Sequence, residues 1–191
     1  MKKLKTYKIS LNAPVVLCFV GVCIAAQVLN LMTGGVSNRI LFSVYRSSWL
    51  NPLTYLRCVC HVFGHSGWSH LMGNMMYILL LGPMLEEKYG SRSIAIVMLI
   101  TAAATGICNI ILFPRVMLLG ASGVVFAMIL LSSITATEEH TIPLTFILVA
   151  VLYIGQQLVE GIFTADNISQ MAHIVGGVVG SVFGFGMKRR K

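Results

Sequence analysis

Met117-Leu-Leu-Gly-Ala-Ser122-Gly-Val-Val-Phe126-Ala-Met-Ile-Leu-Leu-Ser-Ser-Ile-Thr135 is an uncharged run about as long as the ~20 residues a helix needs to cross a hydrocarbon core. Its only polar cluster at one end is Gly120-Ala121-Ser122-Gly123. Runs of the same kind recur near 14–32, 69–85, 93–113, 143–160 and 169–187. With 57% of residues hydrophobic, 10% charged and a mean hydropathy of +0.84, the composition is far from that of a soluble globular domain. The pattern predicts an all-α polytopic membrane protein of six transmembrane helices, one membrane domain over 13–187.

Orientation follows from the basic residues. Lys2, Lys3, Lys5 and Lys8 precede the first run, and Lys188, Arg189, Arg190 and Lys191 follow the last. The positive-inside rule therefore puts both a 1–12 N-terminal segment and a 188–191 tail in the cytoplasm, as an even number of spans requires. Glu86–Arg92 and Glu138–Ile142 become short inner connections, and 33–68 a long outer loop carrying Arg39, Arg46 and Arg57. A cleaved signal peptide over Met1–Asn30 is the competing reading, but its core is long and Ala25-Ala26-Gln27 is a poor cleavage site. The net charge of +8 sits at the chain ends, where anionic lipid accounts for it without nucleic acid. The natural location is a plasma membrane, with a bacterial inner membrane favoured. The five cysteines imply no disulfide framework.

The second, fourth and sixth runs all travel inward from the outer face, and each carries polar residues near its start: His70, Ser122 and His173. Ser122 lies seven residues past Arg115 and His173 seven past Asp166. If both stretches are helical, each is roughly 10 Å below the outer interface. Polar groups at that depth need partners or a wet cavity. Asn74 follows His70 by one turn, Phe126 follows Ser122 by one turn, and His173 shares a face with Gly176, Gly180 and Gly184, with Gly177 beside them. Against Gly120, Gly123 and Ala127, that smooth stripe predicts close packing of the fourth and sixth spans with Ser122 facing His173. Taken singly, a Gly-x-Ser-Gly run is more often packing than catalysis, and a lone histidine a satisfied core residue. Their coincidence at one depth is what points to chemistry.

That chemistry is acyl transfer. A serine hydroxyl needs an imidazole to take its proton, and neither Asp nor Glu lies inside a span near His173, so a dyad is expected in place of a triad; Glu160 and Asp166 fall in the outer connection. His70, the Asn74 amide and the Ser122 backbone N–H are the candidate oxyanion donors, helped by the partial positive charge at the start of the fourth helix.

The chain resembles the rhomboid intramembrane serine proteases. The resemblance covers roughly 56–187 and rests on His61-Val-Phe-Gly-His65-Ser-Gly-Trp-Ser-His70-Leu-Met-Gly-Asn74, Glu86-Glu-Lys-Tyr-Gly90, Gly120-Ala-Ser122-Gly-Val-Val-Phe126 and Ala172-His173-Ile-Val-Gly176-Gly177, in family order. It implies a six-helix fold with Ser122 as nucleophile and His173 as general base. His70 and Asn74 stabilise the oxyanion, Phe126 packs on the imidazole, and no metal or cofactor is needed. The implied substrates are single-span membrane proteins, cut near the outer interface where small or helix-breaking residues let the backbone unwind. Two departures stand out. Phe126 replaces a common tyrosine, which leaves imidazole orientation to packing alone, and Leu56-Arg57 replaces a common Trp-Arg, which bears on loop anchoring.

His61 and His65 fall where the family has loop histidines, with a hydrogen-bonding role implied. Zinc held by Cys58, Cys60, His61 and His65 is the alternative reading of the same residues. An intramembrane metalloprotease lacks its His-Glu-x-x-His helix. Two further classes remain beside the protease: a non-catalytic rhomboid-like protein that binds or escorts membrane clients, and a small channel or transporter, whose mid-span charges are not evident. The natural substrate and the oligomeric state are not legible.

Overall fold

The computed structural model describes residues 8–135, 141–163 and 167–187, apart from the side chains of 158, 160–163 and 167–169. Lys2, Lys3 and Lys5, the basic tail, most of the Glu138–Ile142 connection, the Glu160 side chain and Asp166 thus lie outside the described residues. Eight α-helices appear among the described residues: α1 (Pro14–Met32), α2 (Val36–Ile40), α3 (Pro52–Cys60), α4 (Trp68–Tyr89), α5 (Ser91–Leu112), α6 (Ser122–Thr135), α7 (Leu144–Phe163) and α8 (Asn167–Gly186). A 3-10 turn over His61–Phe63 follows α3. The six longer helices overlie the six apolar runs. Among the described residues, α1 and α5 are the two helices long and apolar enough, by length and composition, to cross a membrane.

These helices turn large apolar side chains outward as well as inward. Leu80 on α4 is 70% exposed and Leu152 on α7 is 69% exposed, with Leu17, Ile24, Leu99, Ile107 and Ile111 also bare. Apolar surface of that extent has no place in water. Inside, Leu71, Ile78, Leu85, Ile94, Met98, Val124, Met128 and Leu131 form one core between α4, α5 and α6.

The connection expected over Glu86–Arg92 is a single residue. Gly90, at φ +86°, ends α4 and begins α5, a left-handed corner that favours glycine. Glu86 therefore sits inside α4, 3% exposed, not in a solvated loop. Its carboxylate accepts the Val15 and Val16 backbone N–H groups, each at 3.0 Å, and so caps α1, where Pro14 fills the first turn. A buried carboxylate is tolerable there because two backbone donors and the positive end of α1 face it.

The segment 33–68, expected as an outer loop, is structured. Asn51 caps α3 by accepting the Leu53 N–H at 3.0 Å, with Pro52 at the first turn. Buried Arg57 donates from Nε to the Ile40 carbonyl at 2.7 Å and lies 4.5 Å above the Tyr45 ring. Arg57 thus anchors α2 to α3 without a tryptophan before it.

The run 117–135 is not one helix. Residues 113–121 are non-helical, and Leu118 forms an antiparallel bridge with Val44 through N–H···O contacts of 2.8 and 2.9 Å. Asn109 Nδ2 donates to the Val44 and Val116 carbonyls, both at 3.1 Å, binding the two extended pieces to α5. Helical rise therefore gives no depth for Ser122, which is the first residue of α6.

Candidate active site

The approach of α6 to α8 is set by missing side chains. A Cβ on Gly176 would overlap the Gly123 carbonyl oxygen and lie 2.8 Å from its carbon; a Cβ on Gly180 would lie 2.7 Å from the Ala127 carbonyl carbon. The expected small-residue stripe is present, and Gly123 is itself close to the Ala172 carbonyl of α8. Gly177 is different, since a Cβ there would meet Leu130 at ordinary contact distance, 3.7 Å.

Across this seam lies a cavity of about 360 Å³ whose walls include Ser122, His173, His70, Asn74, Phe126 and Tyr77. The five polar and aromatic residues singled out in the sequence are therefore brought together on one space. Ser122 enters it at the head of α6, where the first backbone N–H groups have no helical partner. The turn before it is forced by Gly120, at φ +123°, whose N–H donates to the His61 carbonyl at 2.9 Å. A side chain on Gly120 would lie 2.9 Å from His70 Nε2 and 3.9 Å from Asn74 Nδ2, so only glycine lets the serine-bearing turn meet these two groups.

The two α4 residues are poised as donors. Ser66 Oγ lies 3.1 Å from His70 Nδ1; with the hydroxyl donating, the ring proton belongs on Nε2, toward Gly120. Asn74 is 7% exposed and its Nδ2 has no hydrogen-bond partner among the described residues. A buried amide donor left open beside a serine is unusual outside a binding site.

His173 is held on two sides. Phe126 stacks on its ring at 4.1 Å between centroids and 7° between planes, and Tyr153 meets Phe126 edge-on at 5.0 Å. In the ring plane, Gln157 Oε1 lies 2.6 Å from Nδ1. The expectation that packing alone orients the imidazole is thus corrected, for an amide on α7 does so as well. Sequence reasoning passed over Gln157, Tyr153 and Ser66. Its available signal was a pair of glutamines, Gln156 and Gln157, inside an apolar run, where a polar side chain calls for a partner.

The loop histidines serve the frame. His61 engages the Arg57 carbonyl and Thr105 Oγ1, both at 3.2 Å; His65 engages the Phe63 carbonyl, and its own carbonyl accepts from Asn38 Nδ2 at 2.8 Å. Burial pushes both imidazoles down to about 4, with His70 adding to the effect on His65, so both are neutral near pH 7. Burial also raises the Cys58 and Cys60 thiols. Among the described residues no three His, Cys, Asp or Glu side chains converge to hold a metal, and the set Cys58, Cys60, His61 and His65 is not gathered.

The sequence profile of the Rhomboid domain matches residues 52–190 of this chain. The chain belongs to the rhomboid family. Among rhomboid relatives, it is similar to Rhomboid-related protein 1 of Caenorhabditis elegans, 30% identical over 138 residues, 68% of this chain and 39% of that protein. It is also similar to Rhomboid protease GlpG of Yersinia pseudotuberculosis serotype I (strain IP32953), 29% identical over 183 residues, 90% of this chain and 62% of that one. Rhomboid-like protein 11, chloroplastic, of Arabidopsis thaliana is 22% identical over 138 residues, 65% of this chain and 49% of that one. The chain spans between 39% and 62% of the lengths of these three relatives. As a rhomboid it is an integral membrane protein, and its relatives include proteins named as proteases.

Proposed function

We propose that this rhomboid is an intramembrane serine protease that hydrolyses peptide bonds in or near single transmembrane segments of other proteins, with Ser122 as nucleophile and His173 as general base. The observation that carries the reading is the single cavity shared by Ser122, His173, His70 and Asn74, with Phe126 stacked on the imidazole. In this reading the six longer helices are six spans of one domain over 13–187, flanked by cytoplasmic termini in a plasma membrane, the inner one in a bacterium.

The steps follow from the residues. Ser122 Oγ attacks the scissile carbonyl carbon while His173 takes its proton. The carbonyl oxygen, now an oxyanion, accepts from His70 Nε2–H, Asn74 Nδ2–H and the Ser122 backbone N–H. The C–N bond breaks as the imidazolium returns the proton to the leaving amine, leaving an acyl ester on Ser122. Water entering the cavity then gives a proton to His173 and its hydroxide to the ester carbonyl. The tetrahedral intermediate breaks its bond to Ser122 Oγ as His173 returns that proton to the serine, and the acid product leaves as its carboxylate after losing its own proton to water. No metal or cofactor enters any step.

The test is cleavage of a fluorescent single-span substrate by purified protein in liposomes, together with labelling by a fluorophosphonate. Both are expected in the wild type, and both vanish in Ser122→Ala; His173→Ala stops turnover while folding is kept. Full activity in either variant refutes the assignment. Absence of both signals in well-folded wild type moves the reading to a rhomboid that binds or escorts membrane clients without cutting them.

A further inference from the structure

Four side chains from three helices, the proposed base among them, close a ring. On α7, Tyr153 and Gln157 are one turn apart and share a face. Tyr153 meets Phe126 of α6 edge-on, Phe126 stacks on His173 of α8, and His173 Nδ1 returns to Gln157 Oε1 at 2.6 Å. The aromatic face controls the tilt of the imidazole and leaves its rotation in plane, and the choice of protonated nitrogen, undetermined. The amide supplies both. Gln157 is 4% exposed, so this contact is shielded from water that would otherwise compete for it.

We propose that Gln157 is the positioning residue of the general base: its amide oxygen accepts the Nδ1–H of His173 and fixes the tautomer in which Nε2, on the opposite edge of the ring, keeps its lone pair for the Ser122 proton. The proposal rests on the reading of His173 as base. A carboxylate in that place would fix the same tautomer and also stabilise the imidazolium by charge; an amide fixes it without charge. The base is therefore oriented as in a triad while keeping the electrostatics of a dyad. Among the described residues, the titratable groups about the ring include His70 and Tyr77 on the α4 side of the cavity and Tyr153 on α7, and α6 contributes Ser122 and Phe126. Glu160 follows Gln157 by three residues on α7, its side chain outside the described residues.

The test uses the full chain in lipid, with ¹⁵N-histidine labelling and a His173→Ala spectrum to assign the resonance. The wild type is expected to show the Nδ1–H tautomer at neutral pH. Gln157→Leu, close in shape but unable to accept, is expected to shift the ring to a mixture or to Nε2–H and to lower kcat about 10- to 100-fold at nearly constant KM. Gln157→Glu keeps an acceptor and should keep the Nδ1–H. It should also move the acid limb of the kcat/KM profile upward by about one unit, a displacement a merely structural contact would not produce. Glu160→Gln is carried alongside, and the shift must persist in that background. An Nε2–H tautomer in the wild type overturns the proposal, as does an unchanged tautomer in Gln157→Leu or an unmoved pH profile in Gln157→Glu. Absence of fluorophosphonate labelling in the wild type brings down the base reading and the role of Gln157 with it, while the NMR result separately reports whether the hydrogen bond exists.

Discussion

Adding one methyl group to Gly176 is the sharpest test of how α6 and α8 hold the proposed site. The new Cβ would stand 2.8 Å from the Gly123 carbonyl carbon and 3.0 Å from its Cα, and would overlap the carbonyl oxygen. Ordinary contact begins near 3.4 Å, so the carbon alone demands about 0.6 Å of separation and the oxygen more. Neither neighbour is the movable end of a flexible side chain; both are helix backbone, so the helices must part by on the order of 1 Å. Gly123 adjoins Ser122 and Gly176 lies one turn below His173, so the shift falls between the proposed nucleophile and the proposed base. A misplacement of that size costs roughly 100-fold in rate, and overpacking costs about 1–3 kcal/mol in stability. Gly177→Ala is the matched control, because its Cβ would meet only Leu130, at 3.7 Å and beyond. The assay is kcat/KM for a single-span substrate in proteoliposomes, with thermal unfolding to confirm that each variant is folded. A Gly176→Ala protein within about two-fold of wild type, or a Gly177→Ala protein equally impaired, would refute the reasoning.

Other substitutions follow from the same geometry. Asn74→Ala should keep some activity, with a loss of about 10- to 1000-fold if its unpartnered amide is one oxyanion donor among several; an unchanged rate in the cleavage assay would reduce Asn74 to packing. Glu86→Ala uncaps α1 at two backbone N–H groups and should lower stability by about 2 kcal/mol or more in an unfolding titration, with a smaller deficit in Glu86→Gln, whose oxygen still accepts. His61, held down at about 4 when folded against an ordinary 6.5, takes up a proton in the unfolded chain first. Stability should therefore fall as pH drops from 6.5 toward 4, by on the order of 3 kcal/mol from this residue, and His61→Gln should flatten the dependence of Tm on pH in that window. An equal slope in that variant would locate the acid sensitivity elsewhere.

The helices and the polar residues that meet in the cavity were legible because both signals are strong. A run of uncharged residues admits few structures in lipid, and His70, Asn74, Ser122 and His173 stand out in such runs. What stayed hidden were features that hydropathy cannot separate. Met117–Ala121 is as apolar as a helix turn, yet Leu118 is extended, because Val44, far away in sequence, satisfies its backbone. Glu86 reads as a loop charge until its partners, the first amides of α1, are known. Gln157 stayed hidden because it lies near the end of α7 and not at the start of one of the runs that carry His70, Ser122 and His173, and hydropathy does not show that α7 brings it to His173.

The bridge between Val44 and Leu118, with the Gly120 N–H held by the His61 carbonyl, joins the 33–68 segment to the backbone that carries Ser122. A lid hinged on that segment would pull its own serine out of register each time it opened. In the proposed protease the segment would serve as a lintel, a beam from which Ser122 hangs, with substrate passing beneath it.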